Sequence, residues 1–231
     1  MFVVGITGFD IFLSLIYSLI ILLIASVIKS YMIDSEYKKY FIPFILSKIA
    51  FAIIFAFLHS YVYKGGDTFL YFAGAKFIAL QIAENPSDIF NYLFSSFENF
   101  PSFTYSRESA VAYAFKDTTT LAQSQICSVF NLLAFNQFMT TTILFSAFSA
   151  LGIWAIYSTI CNFYPQVYKL FAICILFFPT IGIWGSGILK DPITLCAIGF
   201  IFNSTYHLIQ NRKQAQSIFL MVISIILCFN L

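Results

Sequence analysis

The chain has 231 residues, of which 60% are hydrophobic and only 10% are charged, and its mean hydropathy is +0.88. Soluble domains carry about 25% charged residues. This composition therefore excludes an ordinary soluble protein, and lipid must be the solvent for much of the surface. The net charge of +2 gives no indication of nucleic-acid binding.

Six apolar stretches predict an all-α, polytopic transmembrane bundle of about six spans, forming a single membrane domain over residues 1–231. No Lys or Arg precedes the first stretch, so it is read as a membrane helix and not as a cleavable signal. The last stretch offers about 15 residues where a membrane helix needs about 20. We therefore expect the chain to be truncated at its C-terminus relative to a longer protein. The predicted spans lie at 11–28, 41–63, 138–160, 170–189, 193–209 and 217–231.

Basic residues predict the orientation of these spans. Cytoplasmic connections carry an excess of Lys and Arg, and six cations fall in three short connections on one side. The other side has cations spread over the much longer segment 64–137, together with Lys190. We therefore expect a multi-pass protein of the plasma (inner) membrane with its N-terminus and the 64–137 loop outside. The six cations are Lys29, Lys38, Lys39, Lys169, Arg212 and Lys213.

The long outer loop contains two segments with helical spacing of apolar residues, 68–83 and 118–135. Asn85-Pro86-Ser87-Asp88 is typical of a helix stop followed by a restart. Two arrangements remain open for these amphipathic helices. They could lie in the outer membrane interface, or they could form a small folded cap that packs on the bundle.

The first candidate site is Lys64-Gly65-Gly66-Asp67-Thr68, at the outer end of the second span, with Tyr71 one helical turn later. Two glycines permit a sharp turn. A carboxylate held at the membrane surface could take a proton from a sugar hydroxyl or hold a divalent ion. The alternative is that Asp67 only caps the helix that starts at Thr68.

The second candidate site follows the fourth span, in the run from Phe178 to Pro192. Pro179 should kink that span and free a carbonyl group. Lys190 and Asp191 then lie at the outer boundary, where a cation could hold a lipid phosphate. The alternative is a helical hairpin turn whose Lys and Asp are simply solvated or paired.

Two further polar residues lie in the second span. Lys48 is about two turns from the inner end and could snorkel to the interface. His59 lies near the outer end, one turn before Tyr63, where it could join the site or make a hydrogen-bonded packing contact. The orientation, which was derived from the cytoplasmic cations alone, places Asp67 and Lys190-Asp191 on the same outer face.

These two motifs resemble those of bacterial polytopic glycosyltransferases of the GT-C type. A Gly-Gly-Asp turn followed by a Tyr is similar to the first outer loop of such enzymes, and FFPTIGIWGSGILKDP resembles a segment in which Pro, Trp-x-Ser-Gly and Lys-Asp recur. Related patterns occur in membrane polymerases of surface polysaccharides. The resemblance covers roughly residues 41–210.

The resemblance implies a polyprenyl-phosphate-linked sugar donor, a glycan or lipid acceptor, and transfer at the outer face during surface polysaccharide synthesis. It suggests Asp67 as catalytic base or metal ligand, with a divalent cation as the candidate cofactor, and Lys190 as the contact to the donor phosphate. Asp191, Tyr71 and His59 complete the predicted substrate-binding set. The alternatives are a lipid or solute transporter, in which Pro179 and the glycines break a span, and a non-catalytic membrane subunit.

Overall fold

The computed structural model describes residues 5–32, 35–96, 100, 111 and 114–230. Within these residues all regular structure is helical, which confirms the prediction of an all-α protein. The α-helices are α1 (Gly8–Tyr31), α2 (Phe41–Phe57), α3 (Asp67–Glu84), α4 (Ile89–Phe94), α5 (Thr118–Leu133), α6 (Phe138–Phe163), α7 (Tyr168–Phe171), α8 (Pro179–Trp184), α9 (Lys190–Ile209) and α10 (Gln214–Asn230).

Short 3₁₀ and π segments connect or extend these helices. The 3₁₀ segments are Glu36–Tyr40, Pro86–Asp88 and Pro165–Val167. The π segment Leu58–Tyr63 extends α2, and Ala172–Leu176 extends α7. The segment Pro86–Asp88 stands between the end of α3 and the start of α4, where the Asn85-Pro86 pattern predicts a stop and a restart.

Four helical segments in the described residues are long and apolar enough to cross a membrane: Gly8–Tyr31, Glu36–Tyr63, Phe138–Phe163 and Lys190–Ile209. They correspond to the predicted first, second, third and fifth spans. On α1, Leu19 is 62% exposed and Leu23 is 67% exposed. Side chains of this kind are stable at such exposure when lipid covers them. The structure therefore agrees with a membrane protein.

The predicted fourth span, 170–189, is not a continuous helix. The π segment Ala172–Leu176 ends at Phe177, and α8 starts only at Pro179, which lacks the N–H group that would continue the helical ladder. A non-helical stretch then leads to α9. The predicted sixth span corresponds to α10, whose 17 residues fall below the length of a full span. The six-span count thus stays a prediction.

The helices α6 and α9 cross at very short range because glycines meet at the contact. A Cβ atom built on Gly152 would lie 2.3 Å from Cα of Cys196, and one built on Gly199 would lie 2.1 Å from the carbonyl oxygen of Gly152. Small residues at such crossings let membrane helices approach closely. This contact places the N-terminal end of α9, which carries Lys190, beside the start of α6.

The segments α3 and α5 pack against each other and against the bundle. A Cβ built on Gly74 of α3 would meet Oγ of Ser124 on α5 at 2.7 Å. Phe69 and Phe72 of α3 place their rings 5.1 and 5.2 Å from the ring of Phe138, at the start of α6. The described parts of α3 and α5 thus pack on the bundle as in the folded-cap arrangement, and a position in the outer membrane interface stays a prediction.

Candidate functional site

Lys190 lies at the end of the bundle on which α3 and α5 pack. It is the first residue of α9 and is partly buried. Its Nζ donates a hydrogen bond to Oγ1 of Thr119 at 2.7 Å. The preceding carbonyl group, that of Leu189, accepts a bond from Nε2 of Gln123 at 2.9 Å. Two side chains of α5 thus hold the start of α9 against the cap.

Asp117 adds a carboxylate to this contact between α5 and α9. It is the N-cap residue of α5 and accepts hydrogen bonds from the backbone N–H of Thr120 at 2.8 Å and from Oγ1 of Thr119 at 2.9 Å. The bonds from Thr120, and to a lesser degree the charge of Lys190, hold the pKa of the Asp117 carboxyl below its usual range. Lys190, Thr119 and Asp117 therefore form a chain of hydrogen bonds.

Tyr71 is buried, and three carboxylates act on its hydroxyl through their charge. Burial, and then the negative charges of Asp67, Asp117 and Asp191, raise the pKa of its hydroxyl to about 12. Tyr71 therefore stays protonated at neutral pH, as a hydrogen-bond donor. Asp67, Tyr71, Asp117, Lys190, Asp191 and Thr119 are called the Tyr71 cluster below.

Asp67 is the exposed carboxylate of the Tyr71 cluster and the first residue of α3. The turn before it uses the left-handed region at Lys64, with φ 52°, and at Gly66, with φ 103°. Gly66 is the N-cap residue, and the Asp67 side chain makes no hydrogen bond to any residue that the structure describes. The capping role left open by the sequence is not formed, and the exposed carboxylate has no partner among the described residues.

Asp191 is exposed in the first turn of α9, where the helix dipole favours a negative charge. It lines a cavity of about 270 Å³ between α8 and α9. The cavity walls are Thr180, Ile181, Trp184, Gly185, Asp191, Thr194 and Leu195.

His59 has packing contacts. It lies in the π segment after α2, its Nδ1 is 3.1 Å from the carbonyl oxygen of Phe55, and its ring stacks on the Phe55 ring at 3.9 Å. No contact between described residues joins it to the Tyr71 cluster. The contacts of His59 thus match the hydrogen-bonded packing alternative.

Lys48, which could snorkel by its position in the sequence, does not do so. The side chain is 1% exposed and its Nζ donates to the carbonyl oxygen of Gly185 at 2.5 Å. Gly185 follows α8, whose last carbonyl groups have no helical partner. Lys48 therefore supplies the hydrogen bond that the break in the fourth apolar stretch removes.

Two serines continue the polar contact around Lys48. Oγ of Ser146 on α6 donates to the backbone carbonyl of Lys48 at 2.8 Å and lies 3.0 Å from Oγ of Ser186. The broken segment is thereby attached to both α2 and α6.

Sequence reasoning missed Asp117 and Thr119. The available signal was a helix-start pattern, an Asp directly before the amphipathic run 118–135, on the same loop as Asp67. The pairing of Thr119 with Lys190 could not be predicted, because the two residues are far apart in sequence and meet only through the packing of the cap. Among the described residues, no group of three or more His, Cys, Asp or Glu side chains could hold a metal ion.

No protein-family model, no curated protein and no solved structure matches this chain. The likeness to GT-C-type glycosyltransferases thus rests on the two short motifs alone.

Proposed function

We propose that the chain is a membrane glycosyltransferase that uses a polyprenyl-phosphate-linked sugar at the outer face of the plasma membrane. The observation that carries the proposal is the Tyr71 cluster. It combines an exposed carboxylate that has no partner among the described residues, Asp67, with a cation, Lys190, at the end of a membrane helix. The two motifs that resemble the GT-C type supply these two residues.

Each group has one task in the proposed transfer. Asp67 accepts the proton of the acceptor hydroxyl as that oxygen attacks C1 of the donor sugar. The bond between C1 and the phosphate oxygen breaks, and the lipid phosphate leaves with the electron pair. Lys190 stabilises the departing phosphate, since its ammonium has three donors and uses one on Thr119. The protonated hydroxyl of Tyr71 offers a further donor to a bound oxygen.

Sugar transfer by the full chain in lipid nanodiscs, with a polyprenyl-phosphate-linked sugar and an acceptor glycan, tests this proposal. Asp67→Asn should lower the rate by at least about 100-fold, which is the usual contribution of a general base. Its thermal unfolding should match that of the parent, because the Asp67 side chain bonds no described residue. Asp88→Asn, a carboxylate outside the Tyr71 cluster, is the matched control. Equal rates for the parent and Asp67→Asn would contradict the base role.

A second function, transport of an anionic lipid or solute, is favoured by Lys48. Broken helices near a buried charge are typical of transporter binding sites, and Lys48 lies against the broken segment with one carbonyl bond. In proteoliposomes, transport would appear as anion flux that Lys48→Met abolishes and Asp67→Asn leaves intact. If instead Asp67→Asn abolishes sugar transfer and Lys48→Met does not, the chain is assigned to sugar transfer.

A further inference from the structure

Two adjoining cavities lie at the end of the bundle opposite to the Tyr71 cluster. Their volumes are about 760 and 270 Å³. They form where the 3₁₀ segment Glu36–Tyr40, the end of α6 and the end of α9 come together. Four residues line both cavities, so they are one continuous site, called the α9-end cavity below. The shared residues are Ser35, Tyr37, Asn162 and His207.

The walls of the α9-end cavity carry an excess of positive charge. Arg212 lines the larger part, and Lys38 and Lys213 line the smaller. Glu36 is the one carboxylate among the described lining residues, and Lys38 already donates to the carbonyl oxygen of Met32, so Arg212 and Lys213 are the two cations that outweigh it. The Arg212 guanidinium makes no hydrogen bond or ion pair with any described residue. An anion would therefore find an uncompensated, planar set of donors there.

The backbone of residues 211–213 forms a turn that places Arg212 and Lys213 beside the cavity. Asn211 has φ 53° and Lys213 has φ 47°, so both adopt the left-handed region that non-glycine residues rarely use. The N–H of Arg212 between them donates to the carbonyl oxygen of His207 at 2.9 Å. This closed turn ties Arg212 directly to the last turn of α9.

His207 adds an unsatisfied polar atom to the same wall. Its Nδ1 is buried and has no hydrogen-bond partner among the residues that the structure describes. Buried polar side-chain atoms are nearly always hydrogen-bonded, and an exception needs an explanation. His207 lines both parts of the α9-end cavity, so a rotation of its ring would turn this nitrogen toward a bound ligand.

We propose that the α9-end cavity binds a phosphate ester, either the head group of a membrane lipid or a soluble sugar or nucleoside phosphate. Arginine recognises phosphate through paired donors, and a volume of this size matches small-molecule sites. Tyr37 and Tyr206, which are partly buried, contribute aromatic rings to the wall, on which a sugar or a base can stack. The site is separate from the Tyr71 cluster and does not depend on sugar transfer.

Binding to the full chain in phosphatidylcholine nanodiscs tests this proposal. Two probes separate the two sources: phosphatidic acid incorporated into the nanodisc, detected as retained lipid by native mass spectrometry, and uridine diphosphate titrated in solution. Binding of either probe that depends on Arg212 supports the proposal and identifies the source. Binding of neither probe would overturn it.

Three variants test whether binding depends on Arg212 itself or on surface charge in general. Arg212→Gln should weaken binding on the order of 10-fold or more, and Arg212→Lys, which keeps the charge, should recover part of the loss. Lys169→Gln removes a cation at the same end that lines neither part of the cavity, and it should bind like the parent. Unchanged binding by Arg212→Gln would contradict the site. An equal loss in Lys169→Gln would show that binding depends on general surface charge, which would also contradict it.

Discussion

Asp10 is a buried carboxylate that ties the first span to the third. It is 1% exposed, and its oxygens accept hydrogen bonds from the backbone N–H groups of Met139 at 2.9 Å and Thr140 at 3.0 Å. The hydroxyl of Thr140 adds a third bond at 2.9 Å. A residue distant in sequence thus satisfies donors at the start of α6 that no helical partner can reach.

Asp10→Ala should lower the free energy of unfolding by about 1–3 kcal/mol, because it leaves buried N–H groups without acceptors. Reversible unfolding in mixed micelles measures the loss. Asp67→Ala removes an exposed carboxylate without a described partner and is the control, with an expected change within about 0.5 kcal/mol. Equal stability of Asp10→Ala and the parent would contradict the capping role.

Asp117→Ala should destabilise the chain by about 1 kcal/mol at neutral pH through loss of the α5 N-cap. The pKa of the Asp117 carboxyl is lowered in the folded state. The charge-dependent part of this stabilisation is therefore present above the unfolded pKa of about 4 and is lost as pH falls through the folded pKa.

Unfolding of the parent and of Asp117→Ala at a series of pH values from neutral down to acid measures this effect. The difference between the two should shrink as the pH falls, while Asp88→Ala, outside the Tyr71 cluster, should show no comparable trend. A difference that stays constant down to the most acid pH would contradict the assignment.

At the scale of elements, the contact between α6 and α9 sets the geometry of the site. Gly152→Ala should separate the two helices, because its Cβ would lie 2.3 Å from Cα and 2.5 Å from the carbonyl oxygen of Cys196, and backbone atoms cannot rotate away. We expect a loss of about 1–3 kcal/mol. Gly65→Ala is the matched control, since its Cβ would meet no atom closer than 3.9 Å. Equal unfolding temperatures for Gly152→Ala and Gly65→Ala would contradict the close crossing of α6 and α9.

The broken segment after α7 could be predicted in part. Pro179 and the nearby glycines indicate a kink, and the structure has a complete interruption there. The partner that makes the interruption stable is Lys48, which comes from a different helix. Only the packed arrangement of α2 and α8 brings the two together, so a linear pattern predicts the break but not its compensation.

At the scale of the whole molecule, the bundle has two chemically different ends. One end carries the Tyr71 cluster, with Asp67, Asp117 and Asp191, and the other carries the α9-end cavity with its cations. Hydropathy and charge predicted the spans α1, α2, α6 and α9 and the separation of Asp67 from Arg212. They could not predict the packing of the cap or the cavity walls, because these contacts join segments far apart in sequence.

Labelling of single cysteines in intact cells tests the orientation. In a background without native cysteines, Asp67→Cys should react with a membrane-impermeant maleimide, whereas Arg212→Cys should react only after permeabilisation. This expectation follows from the positive-inside rule applied to the short basic connections. Reaction of Arg212→Cys alone in intact cells would invert the topology.

Photo-crosslinking tests most directly whether the Tyr71 cluster binds a lipid-phosphate sugar. A polyprenyl-phosphate-linked sugar with a photoreactive group on the sugar is irradiated with the full chain in nanodiscs, and the labelled peptides are identified by mass spectrometry. We predict labels on the peptides that contain 64–71 or 184–191, suppressed by excess unlabelled donor. Labels confined to the lipid-facing side of α1, or labels that excess donor does not suppress, would contradict the proposed function.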